Sequence, residues 1–233
     1  VIPSKFHIPA TVSEIDLDLP TVAIDLSGAY AEIAQKKTGY SQPQWLRIGE
    51  KTGPCSQAEA AEWFTTSLSA MAESGAKSVN LILEAPLSYA FAPNPEGIPL
   101  NAQRRPVERK TNYLNPELIN DDRPWIRNAG AATALVALLF LKEIRPRIPD
   151  TMIVNLFEGF WSWIDTATPH QDDVKGLIKG FRQGHIVPAL NQSTQNFQTA
   201  LQLLGETSEH AVRPPFVVFG HPALAEAYKP TDH

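Results

Sequence analysis

Residues 21–35 read TVAIDLSGAYAEIAQ, and the fold turns on how this stretch is parsed. Thr21–Leu26 is a short apolar run with β-branched residues, which predicts a strand. Ser27-Gly28 supply turn chemistry and Ala29–Gln35 resume an extended pattern with Ile33 at its centre, so the chain is expected to double back as a hairpin. Asp25 is the one acid in this strand, and it stands where the apolar run ends. A carboxylate in that position is either the first residue of a turn or part of a site.

Working outward, QWLRIG at 44–49 is a third extended run, ending before a loop that contains glycine and proline. Three antiparallel strands in sequence are expected. Ser56-Gln-Ala-Glu59 forms a capping box, Ala61, Phe64, Leu68 and Met71 recur at helical spacing, and Gly75 stops that helix. Val79–Leu83 is a nearly continuous apolar run, the pattern of a strand buried on both faces, and Glu84 closes it. From Pro86 to Trp125 the chain carries seven prolines, little periodicity and the basic cluster RRPVERK at 104–110, which predicts a long functional or disordered loop. A buried helix over 128–145 ends at Pro146, and TMIVNLFEGF from 151 supplies another buried strand with Glu158 at its end.

Thr168-Pro169-His170-Gln171 has the cap and first-turn residues of a helix whose apolar stripe is Val174, Leu177, Ile178 and Phe181. At about 100° per residue, Asp173 and His170 lie on the inward side and Asp172 points nearly opposite. Beyond it the pattern predicts a helix over 193–204, with Phe197, Leu201 and Leu204 in register, a strand FVVF at 216–219 and a short helix around 223–228.

The chain has 233 residues, 43% of them hydrophobic, enough for one globular core. Residues 1–20 read as a lead-in segment without the features of a signal peptide. Residues 20–233 read as a single domain with a C-terminal extension from about 184. A formal net charge of −5 argues against bulk electrostatic capture of nucleic acid, so any such contact must be local. The single Cys55 excludes an internal disulfide and a multi-cysteine metal site, in keeping with a reducing, cytoplasmic setting. The most apolar run, AGAATALVALLFL, has 13 residues and is too short to span a bilayer, so no membrane association is expected.

Three hairpin-linked strands followed by helix, strand, helix, strand and helix resemble the ribonuclease H-like fold over about residues 20–183. Within it, the chain looks most like an uncharacterised bacterial family described as predicted nucleases. That likeness rests on the strand end of VAIDLSG, the segment LILEAPLS, the arginine-containing loop and the late acidic pair in HQDDVKGL. The resemblance implies an α/β mixed sheet, three antiparallel strands then parallel ones, with helices on both faces. It also implies acids at the end of the first and fourth strands and near the fifth strand and last helix. Here these are Asp25, Glu84, Glu158 and the Asp172-Asp173 pair. The chemistry that wants such a set is phosphodiester hydrolysis by two Mg²⁺ or Mn²⁺ ions roughly 3.5–4 Å apart. Asp25 would bridge both ions, Glu84 and Asp173 would each serve one, and Glu158 would bind metal or only shape the rim. Arg104, Arg105, Arg109 and Lys110 would meet substrate phosphates, and His170 would assist proton transfer.

Each residue also has a plainer use. Asp25 suits a turn before Ser-Gly, Asp172 and Asp173 suit a helix N-terminus, RRPVERK suits a solvated loop, and His170 suits a helix start. A ribonuclease H-like domain that binds a ligand without turnover is the main alternative. An actin-like nucleotide-binding protein would repeat the Asp-x-Gly hairpin, and no second copy follows residue 151. A Rossmann nucleotide site would need a glycine-rich turn leading into a helix, whereas LSGAYAEIA leads into another strand.

Overall fold

The computed structural model describes residues 4–26, 44–48, 51–55, 57–91, 102–103, 105, 107, 129–160, 170–190 and 196–220; at 44–48, 51–55, 57, 102–103, 129–132 and 170–173 it describes the backbone alone. The expected hairpin strand at 29–35 and the short helix at 223–228 lie outside these residues.

The chain is an α/β protein built on one mixed sheet. Its strands are β1 (Phe6–His7), β2 (Thr21–Asp25), β3 (Gln44–Ile48), β4 (Lys51–Cys55), β5 (Ser78–Leu83), β8 (Ile153–Phe160), β9 (Ile186–Pro188) and β11 (Phe216–Phe219), in the order β4-β3-β2-β5-β8-β11-β9 with β1 also paired to β8. β2, β3 and β4 are successively antiparallel, while β2, β5, β8 and β11 run parallel. A second, three-stranded sheet joins β10 (Phe197–Thr199), β6 (Ser88–Phe91) and β7 (Ala102–Gln103).

The helices divide the core into two faces. Helices α1 (Gln57–Glu73) and α2 (Ala129–Ile144) bring Phe64, Leu68, Phe140 and Leu141 onto Val22, Ile24, Leu81, Leu83 and Leu156. Helix α3 (His170–Arg182) covers the other face, where Val174, Leu177, Ile178 and Phe181 meet Ala23, Ile82, Phe157 and Val218. The alternation along each strand accounts for the division, because successive side chains point to opposite faces. The apolar stripe read from the sequence is thus the face of α3 that is buried. Helix α1 ends as expected, with Gly75 at φ +93° accepting the left-handed conformation that closes a helix.

Four local expectations are corrected. Lys51–Cys55 is a strand and not a loop; it stands last in the sheet order among the described residues, an edge position that tolerates Pro54. Phe197–Thr199 is not helical but pairs antiparallel with Ser88–Phe91, leaving only α4 (Ala200–Leu203), which Thr199 caps in a reciprocal box with Gln202. The proline-rich segment after Glu84 contains β6 and β7, and it buries Arg105 and Val107. Finally, the lead-in segment is part of the core: Phe6 and Ile8 are buried, and Phe6 and His7 pair with Val154 and Asn155.

No helix among the described residues is long and apolar enough to cross a membrane. At the lead-in strand, the rings of His7 and His210 meet edge to face with centroids 4.4 Å apart. Burial holds the His7 pKa below its ordinary value; the His210 and Arg213 charges lower it further, and Glu14 and Glu209 oppose them. A base with a lowered folded pKa takes up protons more readily when unfolded. Its contribution to stability is therefore present above the unfolded value of about 6.5 and is lost as pH falls below it. Thermal unfolding between pH 7.5 and 5 should show the midpoint falling with pH. His7→Phe, which keeps the ring contact, should flatten that slope; an unchanged slope would assign the effect to other groups.

Candidate functional site

β2 and β5 are parallel neighbours in which Ile24 stands opposite Leu83. Their ladder begins with the Asn80 N–H donating to the Pro20 carbonyl and runs on to the Glu84 N–H donating to the Ile24 carbonyl, each at 2.9 Å. Asp25 and Glu84 are therefore consecutive in register, side by side at the carboxyl ends of adjacent strands. Asp25 follows Ile24 and shares its face with Ala23, while Glu84 shares its face with Ile82; both Ala23 and Ile82 belong to the cluster under α3. The two acids thus lie on the α3 side of the sheet. Asp25 is buried and Glu84 half-buried. At the end of a parallel sheet such a pair is placed where ligands of open α/β sheets commonly bind.

Helix α3 approaches this place through close packing. A Cβ on Gly180 would stand 2.0 Å from the Phe219 carbonyl oxygen, and one on Gly159 would stand 2.9 Å from a Leu177 methyl. The carboxyl-terminal half of the helix is thereby pressed onto β11 and β8. α3 also contacts β2, β3 and β4, which lie on the other side of β5 from β8 and β11, so its first turn lies toward β2 and β3. Asp172, Asp173 and His170 belong to that first turn. Their side chains lie outside the described residues, as do Arg104, Arg109 and Lys110. Among the described residues no group of three or more His, Cys, Asp or Glu side chains is arranged to hold a metal ion.

Glu158 is separated from the other acids. Leu83 is in register with Glu158 on β8, so Glu158 shares the face of Ile24 and Leu83, opposite that of Asp25 and Glu84. There it is fully buried against Arg105, which is 2% exposed. Arg105 Nη1 donates to Oε2 at 2.7 Å, and Nη2 stands 2.6 Å from Oε1 as an ion contact. Oε2 also accepts the Leu87 N–H at 2.9 Å, and Nη1 reaches Ser88 Oγ at 3.2 Å. A charge-assisted hydrogen bond reinforced by a second ion contact is a strong form of carboxylate pairing. Glu158 is thus committed to an internal cation, and Arg105 is removed from any surface a substrate phosphate can reach. Nearby, burial pushes the Tyr89 hydroxyl pKa up; the Glu158 charge adds to that shift and Arg105 opposes it.

Sequence reasoning found both members of this pair but gave them separate roles. The available signal was an acid set in the apolar run LFEGF, since a buried carboxylate requires a buried cation. Compared with known proteins, the chain matches no family model, no curated protein and no solved structure.

Proposed function

We propose that the protein is a ribonuclease H-like, metal-dependent phosphodiesterase acting on nucleic acid, with Asp25 and Glu84 as the centre of its site. The observation that carries the reading is the register of β2 and β5, which sets two carboxylates side by side at neighbouring strand ends. Three antiparallel strands flanking a parallel set, with α3 packed on the face that carries both acids, support it further. Two carboxylates from adjacent strands offer hard oxygen donors, the donor type that Mg²⁺ and Mn²⁺ require. Asp173, with Asp172 beside it, would complete the set from α3. Glu158 is left out of it, because its oxygens are taken by Arg105 and Leu87 on the opposite face.

When bound, the ions would supply an activated water and neutralise charge on the phosphodiester. The chain's own contribution is to fix the two carboxylates on a rigid sheet, so that little reorganisation is needed when an ion binds. His170 in the first turn of α3 would serve in proton transfer. Phosphate contact would fall to Arg104, Arg109 and Lys110, a local basic group within an acidic chain.

The test is a cleavage screen in Mn²⁺ on duplex, hybrid, branched and single-stranded substrates, alongside calorimetric titration with Mn²⁺. The wild type should bind the ion and cut at least one substrate, and Asp25→Asn and Glu84→Gln should each abolish cutting and weaken ion binding by at least tenfold. Ion binding that is absent, or indifferent to both substitutions, would refute the reading. Binding without cleavage on any substrate would instead favour a non-catalytic module of the same fold.

A further inference from the structure

We propose that the buried Glu158–Arg105 pair is a positioning device for Glu84, a role that rests on reading Asp25 and Glu84 as the ion-binding pair. The turn Glu84–Ser88 carries the chain away from the end of β5, with Glu84 as its first residue. At its start, the Glu84 N–H is fixed by the Ile24 carbonyl at 2.9 Å. Ala85 donates to the Leu83 carbonyl at 2.8 Å, and Pro86 has no N–H to give. The next backbone donor is Leu87, and its partner is Glu158 Oε2 at 2.9 Å. The Leu87 carbonyl in turn accepts the Ala200 N–H at 2.8 Å, and Arg105 reaches Ser88.

The exit of the turn is therefore set by a carboxylate on β8, and that carboxylate is itself held by the Arg105 guanidinium. Glu158 sits on the face away from Asp25 and Glu84, so it acts on the site through the backbone of the turn. Average stability gives no reason for a charged pair here. Well-packed apolar residues of similar size generally serve as well as a buried ion pair or better. What an apolar pair would lack is an acceptor for the Leu87 N–H, and hence the fixed path from Glu84 to Ser88.

The discriminating variant is the double replacement Arg105→Met with Glu158→Leu, which removes both charges together and leaves none stranded. Two readouts are taken: amide hydrogen exchange of the peptide spanning 84–88 in the metal-free protein, and Mn²⁺ affinity by calorimetry. The expected result is a urea midpoint lowered only by the loss of the Leu87 N–H acceptor, exchange at Leu87 and Ser88 faster by at least tenfold with the remaining sheet unaltered, and Mn²⁺ affinity lower by at least tenfold. Should the double variant fail to fold, Arg105→Lys keeps the charge but loses the planar guanidinium that reaches both Glu158 and Ser88. It should then move both readouts in the same direction by a smaller amount.

Exchange at 84–88 equal to that of the wild type would overturn the proposal, as would faster exchange with Mn²⁺ affinity intact. Wild-type protein that binds no Mn²⁺ would refute the nuclease reading and with it the role for Glu84. In that case the exchange data would still show, separately, whether the pair holds the turn.

Discussion

Glu158→Ala is expected to destabilise the protein by about 3–5 kcal/mol, the usual cost of removing one partner from a buried ion pair. The magnitude follows from what stays behind. Arg105 is 2% exposed and would retain its charge, because a guanidinium stays protonated in proteins. The Leu87 N–H would lose its acceptor, adding the cost of an unsatisfied buried donor, about 1–3 kcal/mol if it cannot relax. Urea denaturation of the wild type, Glu158→Ala and the apolar double variant Arg105→Met/Glu158→Leu measures the effect. The single variant should lose several kcal/mol and the double variant should recover most of it. A double variant as unstable as the single one would show that the loss came from the unpaired Leu87 N–H and not from the stranded charge.

The sheet was legible because its central strands have apolar runs that need no outside information. Val79–Leu83, Val154–Phe157 and Phe216–Phe219 have the pattern of strands covered on both faces, and they lie in β5, β8 and β11. Helix α1 could be read from its periodicity and from Gly75. The misread elements are those whose conformation is set by a distant partner. Lys51–Cys55 extends because Gln44–Ile48 offers it a ladder, and neither Gly53 nor Pro54 signals that. Phe197, Leu201 and Leu204 do recur at helical spacing, yet Phe197–Thr199 is drawn into pairing with Ser88–Phe91, more than a hundred residues earlier. Local propensity is a weak prior when such a pairing competes with it.

The candidate site divides along the same line. That Asp25 and Glu84 stand at strand ends followed from the apolar runs before them. That the two are neighbours on one face depends on strand order and register, which one sequence does not display. Glu158 shows the limit most clearly. It too ends an apolar run, but moving one position along a strand reverses the face a side chain occupies. Its register with Leu83, rather than with Glu84, turns it away from the other acids and toward Arg105, 53 residues earlier in the chain.

Gly180→Ala should destabilise the protein by about 2 kcal/mol or more, toward the upper end of overpacking penalties. The added methyl would stand 2.0 Å from the Phe219 carbonyl oxygen and 3.0 Å from its carbon, and both belong to backbone held in β11. Neither can swing aside, so α3 must lift from the sheet. Lifting it loosens Leu177 and Phe181 from Ile82 and Phe157, whose ring meets that of Phe181 edge to face at a centroid distance of 4.9 Å. The gain in helix propensity on replacing glycine by alanine, about 1 kcal/mol, opposes this loss without cancelling it. Gly159→Ala is the informative contrast. Its methyl would meet only side-chain ends, Leu177 at 2.9 Å and Ile82 at 3.0 Å, which can shift by rotation. Denaturant midpoints should therefore rank wild type above Gly159→Ala and Gly159→Ala above Gly180→Ala, with the exposed Lys179→Ala within about 0.5 kcal/mol of wild type. Equal losses at the two glycines would mean that β11 yields as readily as a side chain does. Because the same helix carries Asp172 and Asp173 in its first turn, folded Gly180→Ala protein should also bind Mn²⁺ less tightly than Gly159→Ala, tying the distance between helix and sheet to the geometry of the proposed site.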